Sequence, residues 1–346
     1  MGGTEIYLRS LLAALARIDG ENEYFVFTNR ETGSLAPAAA NFHDAPQNVR
    51  AANRPSRILF EQLRLPGAAG RLRCDVLLNP GFTCPLFAPC PNVTIFHDLQ
   101  HVRHPEYFRW FDLPAWRFLL WAAARRSRAL IAVSEATRDD LSRHYGVDAA
   151  VVRHGVDPEL FYIAGRRQPE PFVLCLSTLH PHKNLDRLVR AYAALGRRDY
   201  RLVIAGLRGF HTSQLENLIH SLGPAEDVRL TGWLDRAEIL ELLRTAAACI
   251  QPSEFEGFGL PVLEAMAAGA PLACSDIPPF REIVGDSGIP MFDPLNEDAL
   301  RRALRLLLES PPDMTKARQR AREFSWDAAA RETLAVLKRA ADKPRR

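Results

Sequence analysis

Residues 250–271 read IQPSEFEGFGLPVLEAMAAGAP, and this stretch decides the fold. An apolar run of strand length, ACIQPS (248–253), passes into a loop bearing two glycines and becomes helical at Pro261. Proline suits the first turn of a helix because its φ is preset and its missing N–H would have no partner there. Gly269 stands where such a helix ends. A buried strand that runs through a glycine loop into a helix is the repeating unit of a parallel sheet covered by helices. The same turn sets the backbone N–H groups of Gly257, Phe258, Gly259 and Leu260 at a helix N-terminus, a setting suited to phosphate. Glu256 precedes the turn and Glu264 lies one helical turn inside it. Carboxylates accept hydrogen bonds from paired hydroxyls, so a sugar and a ribose are natural ligands. Taken singly, each glutamate reads more simply as a solvated loop residue or a first-turn residue favoured by the helix dipole.

The same alternation runs along the whole chain. In the first half, strands are expected at YFVFTN (24–29), DVLLNP (75–80), NVTIFHD (92–98), ALIAVS (129–134) and AVVRHG (150–155), with helices starting near Thr4, Pro55, Pro105 and Glu135. In the second half they are expected at FVLCLS (172–177), RLVIAG (201–206), VRLTG (228–232), ACIQPS, PLACSD (271–276) and GIPMF (288–292). Residues 161–172, FYIAGRRQPEPF, are polar and aperiodic and read as a linker. The expectation is α/β: a Rossmann-like domain over 1–165, a second over 166–325, and a helix over 326–346, capped by Ser325, packing back on the first domain. Two doubly wound parallel sheets facing each other would place ligands in the cleft between them.

With 346 residues the chain exceeds what one core usually organises. A net charge of +3 gives no footprint for nucleic acid. The six cysteines form no CxxC pair, and four of them follow or sit within apolar runs as buried thiols do, which fits a reduced, cytoplasmic compartment. No uncharged apolar stretch reaches membrane-spanning length, and the N-terminus carries neither a signal-peptide pattern nor a myristoylation signal.

An ordered series of motifs resembles the retaining, nucleotide-sugar-dependent glycosyltransferases of the GT4 type (glycosyltransferase group 1), which have the GT-B fold. The series is GG before a helix, FHDL (96–99), ALIAVSEATRDDL (129–141), VVRHGVD (151–157), LSTLHPHKNL (176–185), RLVIAG, VRLTGWL (228–234), PSEFEGFGLPVLEAMAAGAP, SDIPPFREIVGDSG (275–288) and FSW (324–326). By that resemblance the donor is a nucleoside-diphosphate sugar, no cofactor or metal is needed, and the acceptor hydroxyl binds the first domain. Glu256 would contact the transferred sugar, and Glu264 the donor ribose. The amides of Phe258, Gly259 and Leu260 would hold sugar and phosphate oxygens. Lys183 matches the family lysine for the donor diphosphate, in a loop where Ser177 and Thr178 replace the common Gly-Arg pair and His182 stands where an arginine often precedes the lysine. Arg208 and Arg281 are candidate supplements. His97 and Asp98 would act near the transferred sugar, Gly2 and Gly3 near the donor phosphates or the acceptor, and the backbone around Trp233 near the base. For His101, His104 and His180 the expectation is a surface or packing role, and for Asp157 and His154 a turn and an interdomain contact.

The resemblance implies transfer of a hexose or deoxyhexose to a glycan or lipid-linked acceptor in polysaccharide synthesis, with the ST…P.KN variant leaning toward mannosyl or rhamnosyl. Rival readings are an inactive carbohydrate-binding or scaffold protein and a GT-B nucleotide-sugar epimerase. Residues 107–129 combine Trp110, Trp116 and Trp121 with Arg117, Arg125, Arg126 and Arg128. The sequence leaves two accounts of them open: peripheral contact with the inner face of an anionic membrane, or tryptophans packed on the sheet beneath solvated arginines. Finally, MGG begins at the loop where relatives join their first strand to their first helix. The expectation is therefore a first domain without its first strand, with a Val/Ile/Leu-rich strand encoded upstream.

Overall fold

The computed structural model describes residues 3–50, 53–197, 199–223 and 226–342. The chain divides into two compact units, one comprising the residues up to Gly155 together with those from Ser325 onward, the other Val156–Phe324. The division falls earlier than residue 165 because the stretch read as a linker is not irregular throughout. Glu159–Ile163 is a helix with Leu160 fully buried, which ties it to the second unit.

The first unit begins with the helix Gly3–Ile18, whose Tyr7, Leu11, Ala14 and Leu15 form a buried stripe at helical spacing. Its strands are β1 (Tyr24–Thr28), β2 (Phe42–Pro46), β3 (Leu77–Asn79), β4 (Asn92–Phe96), β5 (Ala129–Ala132) and β6 (Ala150–Val151). They form two parallel sheets, β1-β2 and β3-β4-β5-β6, and no strand precedes the first helix among the described residues. All five residues of β4 are buried, as befits a central strand covered on both faces. Strand β2 has no apolar run to announce it. It pairs through Phe42, whose ring stacks on its register partner Tyr24 at 4.4 Å. Near Pro105 a single 3-10 turn, Pro105–Tyr107, replaces the expected helix. The long helix starts later, at Leu113, with Pro114 in its first turn. The C-terminal helix Trp326–Asp342 belongs to this unit. Its Trp326 ring lies 5.7 Å from Tyr7, Asp327 pairs with Arg17 at 2.5 Å, and the Ser325 hydroxyl accepts from the Asp327 N–H.

The second unit carries β7 (Glu170–Leu176), β8 (Arg201–Ala205), β9 (Val228–Leu230), β10 (Ala246–Gln251), β11 (Leu272–Ser275) and β12 (Met291–Phe292). They form one parallel sheet in the order β12-β11-β10-β7-β8-β9. Counted from β7, this is the doubly wound order 3-2-1-4-5-6, in which the winding reverses between β7 and β10. Val173, Cys175, Leu202, Ile204, Ala248 and Ile250 carry its core on one face of the sheet. The helix Leu185–Ala193 buries Leu185, Leu188, Val189 and Tyr192 against them. Among the described residues no helix is long and apolar enough to cross a membrane.

Candidate functional site

In a doubly wound sheet, ligands bind beyond the carboxyl ends of the strands at the reversal point. In the second unit those ends belong to β7 and β10. The chain leaves β7 through Ser177 and Thr178 and enters the 3-10 turn Pro181–Lys183. It leaves β10 through Pro252 and Ser253 and reaches the helix Leu260–Ala268. The two loops are laced together. The His182 carbonyl accepts from the Glu254 N–H at 2.8 Å. Asn184, in the left-handed region at φ 57°, donates its side-chain amide to the Pro252 and Pro294 carbonyls. Arg187 bridges Asn184 and Glu254 at 2.6 and 2.7 Å.

At the centre, Lys183 Nζ donates to Glu256 Oε1 at 2.6 Å, and the Ser253 hydroxyl donates to the same oxygen at 2.8 Å. Both charged side chains are largely buried, at 16% and 14% exposure. Such a pair is held in a medium where Coulomb attraction is stronger than in water. It still faces enough solvent for a ligand to compete for either partner.

The helix begins at Gly259, whose φ of 122° no other residue adopts without strain. A Cβ there would stand 2.5 Å from Phe280 Cε1. Phe258, immediately before it, is buried with its ring edge-on to Phe324 at 6.1 Å. This side chain anchors the loop, and its contribution to a ligand is restricted to backbone. Glu264 sits one turn in and pairs with Arg236 at 2.7 Å, while the other arm of Arg236 reaches Asp157 at 3.1 Å. Burial raises the Glu264 carboxyl above its ordinary range against the opposing pull of Arg236. Burial works to lower the Arg236 guanidinium, but the two carboxylates outweigh it and the net direction is upward.

In the first unit, His97 and Asp98 follow β4 at its carboxyl end. His97 Nε2 lies 2.8 Å from the Pro80 carbonyl, which can only accept, so Nε2 carries the proton and Nδ1 is left as an acceptor. Burial depresses its pKa, which keeps the ring neutral near pH 7. Tyr7 at 5.0 Å and Phe82 at 5.5 Å pack on the ring edge-on. Phe82 itself holds a φ of +68°, a strained setting for a bulky residue. Asp98 Oδ1 accepts from the Gln100 N–H at 2.8 Å, where it shapes the turn that follows.

The model for glycosyltransferase family 4 matches residues 1–160, and the model for glycosyl transferases group 1 matches residues 157–324. The chain belongs to the family 4, group 1 glycosyltransferases. The family member named O-antigen chain mannosyltransferase B, from Escherichia coli, is 28% identical over 71% of this chain and 70% of its own length. Two further curated mannosyltransferases are matched over only 64% and 66% of their lengths, so the chain spans about two-thirds of these relatives. WaaG, a glycosyltransferase involved in lipopolysaccharide biosynthesis, superposes with a TM-score of 0.76 at 17% identity, covering 97% of this chain and 96% of WaaG. Anabaena HepE in complex with UDP and glucose superposes with a TM-score of 0.73 at 19% identity, covering 97% and 96%. These likenesses establish the GT-B fold.

In this glycosyltransferase, the residues selected from sequence fall into several groups. Lys183, Glu256, Gly259 and Leu260 meet at the reversal point, with Thr178 and His182 on the adjoining loop. Glu264 joins them through the helix. Arg208 is turned to Glu216 at 3.1 Å on an exposed surface, and Arg281 is held by Asp276 at 2.5 Å. Trp233 is more than half exposed after β9. Gly3 is the first residue of its helix, and Gly2 lies outside the described residues. His101 is buried and bonded to the Tyr145 hydroxyl at 2.6 Å, a packing role. Sequence reasoning missed Ser253, Asn184, Arg187 and Arg236. The nearest signal for Arg236 was the capping box formed by Asp235 and Glu238, which fixes its place in the first turn of Arg236–Thr245. Among the described residues no group of three or more His, Cys, Asp or Glu is placed to hold a metal ion.

Proposed function

We propose that this glycosyltransferase moves a hexosyl or deoxyhexosyl group, mannosyl first among them, from a nucleoside-diphosphate sugar to a hydroxyl of a glycan or lipid-linked acceptor. The transfer retains the anomeric configuration, uses no metal ion and serves the assembly of a cell-surface polysaccharide, with the chain meeting the cytoplasmic face of a membrane peripherally. The observation that carries this reading is the largely buried Lys183–Glu256 pair at the reversal point of the sheet, beside a helix N-terminus. A diphosphate brings the charge to take Lys183, and the sugar hydroxyls then donate to the released Glu256. Glu264 accepts from the ribose hydroxyls. In the reaction the bond from the anomeric carbon to the diphosphate oxygen breaks. The acceptor oxygen bonds to the same face of that carbon, and its proton passes to the departing phosphate. Lys183 and the amides of Gly259 and Leu260 stand where the leaving charge develops, the setting in which fixed donors lower a barrier most.

The test is a thermal-shift screen of the intact chain against GDP-, UDP- and TDP-sugars, followed by transfer assays with EDTA and proton NMR of the product anomer. Stabilisation by one nucleotide family, with transfer that survives EDTA and keeps the donor configuration, is the expected result. An inverted product or EDTA-sensitive transfer overturns those parts of the reading, and no shift with any nucleotide sugar overturns it as a whole.

A further inference from the structure

At the amino ends of the strands of the second unit, the end away from the Lys183–Glu256 pair, the chain encloses a cavity of about 500 Å³. Pro169 precedes β7, Tyr200 precedes β8, Pro271 precedes β11, and Ala247 lies at the start of β10. The facing wall is residues 307–315. There the helix Glu297–Glu309 ends, because Pro311 and Pro312 cannot extend it. Leu307 and Met314 are buried under this wall, while Leu308 and Pro312 keep part of their apolar surface open.

Two half-buried arginines line the same cavity, one from each side. Arg167, in the approach to β7, donates from Nη1 to the Leu243 carbonyl at 2.6 Å and from Nη2 to the Ala246 carbonyl at 2.5 Å. These bonds fix the guanidinium and leave further N–H groups on it. Arg318 comes from the helix Thr315–Ala321, and its stem lies along Gly269, where a Cβ would stand 3.0 Å from Arg318 Cδ. Its Nε is buried and has no partner. Neither guanidinium has a carboxylate partner among the described residues.

The one carboxylate that lines the cavity among the described residues is Asp313, and it is engaged elsewhere. Its Oδ1 accepts from the Thr315 N–H at 3.0 Å and from the Thr315 hydroxyl at 2.7 Å. The neighbouring Arg197, over the outer face of Tyr200, is already paired with Asp199 and Glu309. Two positive charges withdrawn from water without a counter-charge are costly, and an anion in the cavity would relieve both. Guanidiniums meet phosphate and carboxylate in a two-pronged geometry. A carboxylate brings one charge, whereas a phosphate monoester brings about two at pH 7 and matches the pair. The volume falls in the range of small-molecule sites, roughly 300–1,000 Å³, which likewise set a few polar groups in apolar walls.

We propose that this cavity is a second ligand site, one that takes a small phosphate monoester with a compact apolar or ring-shaped body. Arg167 and Arg318 hold the phosphate, and Tyr200, Leu308 and Pro312 cover the body. The site goes beyond the transferase reading and does not rest on it.

Calorimetric titration of the full chain with phenyl phosphate tests the site against inorganic phosphate, benzoate and phenol, which carry the phosphate without the ring, the ring with a single charge, and the ring without the anionic group. Phenyl phosphate should bind about ten-fold or more tighter than each of the three. Arg318→Gln should weaken it by about 10- to 100-fold, the worth of a charge-assisted contact. Thr315→Glu, at an exposed position, sets a carboxylate in the lining and should weaken it at least as much. Lys183→Ala, at the other end of the sheet, should leave it unchanged. Unfolding midpoints near the parent's verify that the variants fold. Absence of phenyl phosphate binding overturns the proposal, as does affinity no better than that of inorganic phosphate or benzoate. So does binding that survives both cavity variants, and binding lost in Lys183→Ala would place the ester at the carboxyl ends of the strands instead.

Discussion

Lys183 and Glu256 meet at 2.6 Å although 73 positions separate them in the chain, and they join the loops that leave β7 and β10. The pair neutralises two charges at the point where the sheet reverses its winding, and in the proposed reading one member would meet the donor diphosphate and the other the sugar hydroxyls. Removing one leaves the other charge largely buried and uncompensated, so the two single variants should differ in kind.

Glu256→Gln keeps the shape and the hydrogen bond from Ser253 but removes the charge. Turnover should fall by about 10²-fold or more while nucleotide affinity changes little, because the lost interaction strengthens only as charge develops on the sugar. Lys183→Ala should instead weaken donor binding by about 10- to 100-fold, the worth of one charge-assisted contact to phosphate. Steady-state kinetics beside nucleotide titration separates the two. If Glu256→Gln loses donor affinity as Lys183→Ala does, the assignment of roles is wrong.

Burial pushes the Glu264 carboxyl up, and Arg236 opposes that push. The folded carboxyl titrates above its ordinary range, so the stability linked to it is present in full below the unfolded pKa and lost as pH rises through the folded one. Arg236→Met removes the opposing charge and moves that folded value further up. The variant should be less stable than the parent at pH 7 by about 1–2 kcal/mol, discounted because Arg236 is partly solvated, and should recover part of the deficit at pH 5. Its nucleotide affinity should begin to fall at a higher pH than the parent's, as the protonated carboxyl loses acceptor capacity. Denaturant midpoints and titrations at the two pH values check both, and a deficit that grows on acidification would reject the linkage.

The strand-loop-helix around Glu256 was legible because three local signals coincide there: an apolar run, a proline in the first helical turn and two punctuating glycines. The parallel sheets followed from the alternation of strands and helices, since parallel strands need crossovers, whereas the strand order did not. What was not legible is tertiary. Nothing near Arg236 in sequence shows that its two partners come from Asp157 and Glu264. Strand β2 is FHDAP, with a proline and an aspartate, and exists because Phe42 finds Tyr24. The tryptophans at 110, 116 and 121 look alike in sequence, yet only Trp116 packs on the core. Helical spacing says which residues share a face but leaves open which face meets the core.

Gly259→Ala should cost more than an ordinary surface substitution. The added methyl meets the buried Phe280 ring at 2.5 Å, and the φ of 122° would have to relax as well. Either adjustment shifts the amides at the start of Leu260–Ala268. A loss of about 2 kcal/mol or more is expected, with nucleotide affinity reduced along with it. Thermal unfolding with and without nucleotide reads both. A variant with parental stability and affinity would show that the loop rearranges freely.

His101 supplies a pH dependence that can be isolated. Burial, with help from Arg117 and His144, lowers its pKa from 6.5 to about 4. Below pH 6.5 the unfolded chain takes up a proton that the folded chain refuses, so stability is complete above that pH and declines as pH falls toward 4. At pH 5 the contribution of this one group is a loss of about 2 kcal/mol. His101→Gln keeps a partner for the Tyr145 hydroxyl and removes the titration. It should start about 1 kcal/mol less stable at pH 7 and lose less on acidification, so that the two stability curves cross at about pH 6 and the variant is the more stable at pH 5. The depressed histidines at 97 and 154 remain in both proteins and cancel in the difference. Urea unfolding at half-unit steps measures the two slopes, and parallel curves would mean that His101 is protonated in the folded chain through a route to solvent that its burial does not provide.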